Sequence, residues 1–349
     1  MSLLSIIWWS SDILCGGAIA WMLILIALRL VSNRRARRRA QDRKSVHDAM
    51  VSVLQGRADP RESLAPYRGR ARLMAEALLE FLGIVRGADL KVMVEALRAL
   101  GVDQVMRRRV GQGSLAGRLA CVEALGAFPG PKTQFTLVEA TTRGPAQLRL
   151  AALRSLRQAG GEVSLGRLLD DLAAGHLEVS GPFADLLSDL VADAPGKAAK
   201  ALARENLAPP ARIMLLEALG ACGAYDAIPF LDVHLSASQA RVRAAAIKAL
   251  GHLRHPAALS ALRTALEDPD WSVRSAAAEA AETAALPGLL DSLTTGLQDG
   301  VWRVRHQCAA ALVSLGAPGL ERLHAAVAAE NELAAPAAAL TLAERGLAA

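Results

Sequence analysis

Aromatic residues are scarce, with five Trp, two Tyr and five Phe making up 3% of 349 residues. Sandwiches, barrels and propellers draw on aromatic and β-branched residues, whereas this chain is rich in Ala and Leu. The expected fold is all-α with almost no sheet. With 52% hydrophobic and 21% charged residues the chain has ample apolar mass for a core, which excludes a disordered tail.

Cysteine is also rare. Cys15, Cys121, Cys222 and Cys308 lie far apart without a CxxC pair, which excludes the usual zinc and dithiol motifs and suits a reducing compartment. No Gly-rich phosphate loop, nucleophile elbow or HExxH motif occurs, and the carboxylates of Asp170 and Asp171 are adjacent rather than facing. His252 and His255 stand three residues apart but have no Cys, Asp or Glu nearby, so they read as surface or turn histidines. No catalytic residue, cofactor or metal ligand is assigned, and no small-molecule substrate is expected.

The net charge of +6 is local: residues 29–44 hold eight Lys and Arg against Asp42, and from Ser45 onward 32 bases balance 32 acids. A neutral body does not track a phosphate backbone, so no nucleic-acid partner is expected. Residues 13–31 (ILCGGAIAWMLILIALRLV) are apolar apart from Arg29 and, as a helix, would span ~28 Å, about one bilayer core. Residues 1–12 carry no Lys or Arg, which argues against a cleaved signal peptide. Arg34, Arg35, Arg37, Arg38, Arg39, Arg43 and Lys44 follow the apolar run, and such clusters stay cytoplasmic. Trp8 and Trp9 fall where the outer interfacial belt would lie. The expected layout is a short extracytoplasmic tail (1–12), a transmembrane helix (13–31) and a basic juxtamembrane segment (32–45). The body is expected in the cytoplasm, at a bacterial inner membrane.

Beyond this the chain repeats itself. Leu125, Leu156, Leu187, Leu219, Leu250, Ala281 and Leu312 recur at steps of 31 or 32 residues, and Val242, Val273 and Val304 keep the same period. Seven residues before the anchor stands Arg118, Arg149, Arg212, Arg243, Arg274 or Arg305, and only the unit of Leu187 departs, with Ser180. Apolar positions eight, four, one and zero before the anchor form one helical face, and a second helix precedes it, as in 255–266 and 286–297. Helix pairs of this length cannot bury their faces alone, so the units must stack into an α-solenoid. Cys121 and Cys308, four residues before their anchors, read as small core residues.

The segments DPDWSVRSAAAEA (268–280) and DGVWRVRHQCAAAL (299–312) resemble the HEAT-repeat superfamily, especially the short bacterial form of phycobilin lyase subunits. The resemblance covers residues 113–349, whose end (333–349) would be a cap, while 46–112 reads as a degenerate helical start broken by a turn-rich stretch at 58–70. It implies that a turn aspartate pairs with the arginine six positions later, Asp268 with Arg274 and Asp299 with Arg305.

Trp271 and Trp302, one period apart, are expected to cap the seam between units, with a partner-binding platform as the other reading. The ridge two residues before each anchor runs Glu123, Arg154, Asp185, Glu217, Lys248, Glu279 and Ala310, a mixed-charge row suited to protein rather than nucleic acid. The candidate partner surface is therefore Trp271, Trp302, Glu217, Lys248 and Glu279. The function expected is a membrane-anchored, non-enzymatic scaffold that binds a protein partner, within a membrane enzyme complex. The other class is an enzyme or enzyme subunit, such as the chromophore lyase that the resemblance implies.

Overall fold

The computed structural model describes residues 21–22, 25–26, 28–29, 40–85, 87–204 and 207–347. Among them there is helix and no strand. In chain order the helices are α1 (40–54), α2 (Pro60–Leu64), α3 (Ala71–Ile84), α4 (Ala88–Ala99), α5 (Val102–Val110), α6 (Leu115–Leu125), α7 (Pro131–Thr142), α8 (Ala146–Gln158), α9 (Leu165–Ala173) and α10 (Gly181–Asp193). They continue as α11 (Pro195–Ala201), α12 (Pro209–Ala221), α13 (Ile228–Asp232), α14 (Ala240–Leu253), α15 (Ala258–Ala265), α16 (Trp271–Ala284), α17 (Leu290–Gly296), α18 (Trp302–Ser314), α19 (Ala317–Ala328) and α20 (Ala334–Glu344). The chain divides into two compact units, one holding residues up to 144 with 151–161, the other 145–150 with 162–349.

In the first unit α6 packs on both α3 and α5, and α4 packs on α5. Val46 and Met50 of α1, Met74 and Leu78 of α3, and Met106 of α5 are fully buried. The Cys121 thiol lies in this core, and burial pushes it up to about 11. The boundary drawn from sequence at 45/46 falls inside α1, whose helical residues already include 40–45. The turn-rich stretch at 58–70 is not wholly irregular, because Pro60 opens the short α2 and Ala65–Tyr67 form a 3-10 turn.

The second unit is a ladder in which α12, α14, α16 and α18 lie side by side, each against the next. Leu187, Leu219, Leu250, Ala281 and Leu312 are all buried, as are Val242, Val273 and Val304, so the repeat register read from the sequence is the core register. Cys308 is wholly buried, with its thiol pushed up to about 12 by desolvation. The first helices are shorter than their sequence patterns: Pro287 opens a 3-10 turn, and α17 begins only at Leu290. The Ala and Pro-rich end (333–349) holds α20, which packs on α19 and α18.

The ends of the second helices share a positive φ. Gly223 (φ 71), Arg254 (φ 50), Ala285 (φ 49) and Gly316 (φ 72) stand 31 residues apart, each just past its helix, and Arg254 and Ala285 are left-handed. Such a cap turns the chain sharply and suits glycine, so Arg254 and Ala285 hold it against a steric cost of ~1–2 kcal/mol.

Candidate interaction surface

The arginine ladder begins with an unforced local step. In a helix whose first-turn N–H groups lack intrahelical partners, the preceding turn carries free carbonyls, and an arginine in that turn can reach back to them. Arg118 Nε donates to the Val110 carbonyl at 2.7 Å, and Arg212 Nη2 donates to that of Arg204 at 3.1 Å. Arg243, Arg274 and Arg305 bind the turn in the same way, through the carbonyls of Ala237, Asp268 and Asp299.

The aspartates pair differently from the expectation. Asp268 accepts from Arg243 of the preceding unit at 2.8 and 2.9 Å, and Asp299 accepts from Arg274 at 2.6 and 3.2 Å. Within a unit, Arg274 and Arg305 touch Asp268 and Asp299 only at their main-chain oxygens. The carboxylate is committed elsewhere, because it also closes its own turn: Asp268 accepts from the Asp270 amide and Asp299 from the Val301 amide, each at 2.8 Å. The turn thus faces the previous unit's guanidinium, and the ion pair becomes a clasp between units. Burial alone would raise both carboxyls, but the arginine and amide bonds outweigh it and hold both below the usual range.

Trp271 and Trp302 open the second helices α16 and α18. They stay 46% and 44% exposed, respectively. The guanidinium of Arg305 lies 5.4 Å from the Trp302 ring centre, a cation–π approach along one helix turn. Trp271 lines a groove of about 440 Å³ across α12, α14, α16 and α18, together with Glu217, Arg241, Lys248, Glu279 and Arg303. Four of the five residues picked as a partner surface meet there, and Trp302 does not line it. Lys248 and Glu279 pair at 2.6 Å across neighbouring helices.

Arg241 and Arg303, which line the same groove, were missed in the sequence. They sit nine residues before Leu250 and Leu312, and this regular offset was the signal that could have found them. In the first unit Glu123 and Arg154 are exposed, as are Asp185, Glu217 and Glu279 in the second. Ala310, counted in the same row, is buried, since a methyl group does not reach past its neighbours.

His252 and His255 are exposed, and among the described residues no three His, Cys, Asp or Glu side chains gather as metal ligands. Of the membrane-orientation set, Trp8, Trp9, Arg34, Arg35, Arg37, Arg38 and Arg39 lie outside the described residues. Arg43 pairs with Glu80, and Lys44 is exposed on α1. Among the described residues no helix is long and apolar enough to cross a membrane, and most of segment 13–31 lies outside them.

Residues 196–282, from α11 into α16, match the family of HEAT repeats. No curated protein matches the chain. Among solved structures, the chain resembles one in the Kap95:Nup1 complex at 15% identity and a TM-score of 0.57, over 85% of this chain and 47% of that one. It also resembles importin beta, at 14% identity and a TM-score of 0.50 over 84% and 47% of the two chains. It therefore spans about half the length of those proteins. The phycocyanin lyase CpcE and CpcF of Nostoc sp. PCC7120 superposes at a TM-score of 0.27, with 20% identity over 78% and 94%, too loosely to carry an argument. Stacked helix pairs, a 31-residue core register, the family match and the likeness to the Kap95 and importin beta structures agree: the described residues fold as all-α, HEAT-like repeats.

Proposed function

We propose that the chain is a membrane-anchored cytoplasmic scaffold, whose second-helix ladder holds a protein partner within a membrane enzyme complex. One observation carries the partner reading: Trp271 is left half-exposed in a groove that Arg241 and Arg303 also line. Trp and Arg are the residue types that dominate the energetics of protein interfaces, and here they stand on packed helices rather than loops. Supporting the anchor are the apolar run 13–31 and the basic residues after it, which orient the N-terminus outward.

The test places a photocrosslinking amino acid at position 303 of the full chain and irradiates intact cells. A discrete protein adduct in the membrane fraction, lost on Trp271→Ala and absent with the probe at exposed Lys132, is the expected result. An adduct pattern identical at 303 and 132 would sink the partner surface. Release of the chain to the soluble fraction on removal of residues 1–44 is expected from the anchor, and retention at the membrane would overturn it.

A further inference from the structure

A large cleft lies in the first unit. It has a volume of about 1010 Å³ and opens between α1, α3 and α5. That is at the upper end of volumes that hold small ligands. The helices that frame it are fixed: Val46 and Met50 anchor α1 in the core, and the His47 ring stacks on Phe81 at 5.0 Å between centroids.

The charge in this cleft does not balance. Six side chains are cationic, Arg43, Lys44, Arg70, Arg72, Arg108 and Arg109, against three carboxylates. Each carboxylate already has an arginine: Glu80 pairs with Arg43, Asp42 with Arg70, and Glu76 with Arg72, the last at 2.6 Å. Lys44 on α1 and Arg108 and Arg109 on α5 are left with no carboxylate partner among the described residues. All three are exposed and line the same cleft from two of its walls, with Leu73 and Val105 as apolar lining beside them.

Three uncompensated cations facing one cavity repel each other, a cost that a multivalent anion removes. Guanidinium groups match the oxygens of phosphate in bidentate geometry, and a lysine adds a mobile point charge. The apolar lining suits the carbon skeleton of an ester. We propose that this cleft binds a phosphate-bearing ligand, the phosphate lying between Lys44, Arg108 and Arg109. The same chemistry is offered by an anionic phospholipid headgroup and by a soluble phosphate compound, and the site is independent of the scaffold reading.

The experiment uses the full chain in neutral detergent micelles and two probes: dioleoyl phosphatidic acid mixed into the micelles, and inorganic pyrophosphate in solution. Native mass spectrometry counts bound probe, and calorimetry gives the affinity. One saturable site for at least one probe is expected, weakening with added salt. Arg108→Gln with Arg109→Gln should lower that affinity by roughly tenfold or more, since a charge-assisted bond to phosphate is lost at each. Lys44→Gln, on the other wall, should weaken it independently, and Arg143→Gln, just past α7, should leave it unchanged. Lipid binding alone assigns a headgroup, and pyrophosphate binding alone assigns a soluble ligand. The proposal is overturned if neither probe binds saturably. It is equally overturned if the Arg108/Arg109 double variant and Lys44→Gln both bind as well as the parent, because the basic run 34–39 would then account for the affinity.

Discussion

Arg274 donates from Nε to Asp299 of the following unit at 2.6 Å and from Nη1 to the Asp268 carbonyl of its own turn at 2.8 Å. One side chain therefore joins two repeats, and Arg243 does the same one period earlier with Asp268 and Ala237. Both pairs are largely shielded from water, with side chains 10–19% exposed. Removing one partner leaves the other charge short of bonds, so Arg274→Ala should cost about 1–3 kcal/mol, below the full penalty for a wholly buried pair. Urea denaturation followed by circular dichroism measures it, and a loss under ~0.5 kcal/mol would class the pair with ordinary surface bridges.

The same clasps set an acid limit. Asp268 and Asp299 have folded-state pKa values below the ordinary carboxylate range, so their contribution is present above about pH 4 and is lost as pH falls through the folded values. Urea midpoints should therefore drop between pH 5 and pH 3. In the variant with Asp268→Asn and Asp299→Asn that drop should be smaller, on a lower baseline.

Ala285 holds a left-handed conformation where the corresponding residues Gly223 and Gly316 are glycine. Ala285→Gly should raise stability by about 0.5–1 kcal/mol, since relief of the steric cost exceeds the extra entropy glycine loses. A lower melting temperature for this variant would show that the alanine methyl packs usefully.

Gly251 needs its missing side chain for a different reason. A Cβ there would lie 2.7 Å from Ala280 Cα, where α14 meets α16, and Gly220 stands equally close to Ala249. Gly251→Ala should cost about 1–3 kcal/mol through overpacking, although alanine is the better helix former. At the neighbouring anchor, Leu250→Ala should cost about 2–5 kcal/mol, as for other buried leucines. Thermal denaturation checks both, and a melting temperature unchanged in the two variants would mean that α14 does not pack on α16 through this face.

Thiol labelling reports on the cores of both units. Cys121 and Cys308 are buried with raised pKa values, whereas Cys222 is exposed. A short treatment with iodoacetamide at pH 8, read by peptide mass spectrometry, should modify Cys222 and spare the other two. Modification of Cys308 at a matching rate would mean that α18 opens readily.

The helical class and the repeat register were legible in the sequence because both are local. A period of 31 residues carries the same apolar face into every unit, and a stack of such units has one way to bury it, so the anchors from Leu125 to Leu312 lie in cores. Composition likewise located the basic run and the apolar segment before it.

Contacts between units were not legible, because they depend on how far one unit is offset from the next. From spacing, Asp299 had Arg305 six residues away as its natural partner; stacking instead gave it Arg274, twenty-five residues back. Stacking also decided that Trp271 lines a groove together with two arginines of neighbouring helices. It set Arg108 and Arg109 opposite Lys44, more than sixty positions apart, across a cleft where the three carboxylates are already taken. Sequence periodicity determined which faces are buried; only the tertiary packing decided which charges meet and which are left without a counterion, since Coulomb partners follow distance in space rather than along the chain.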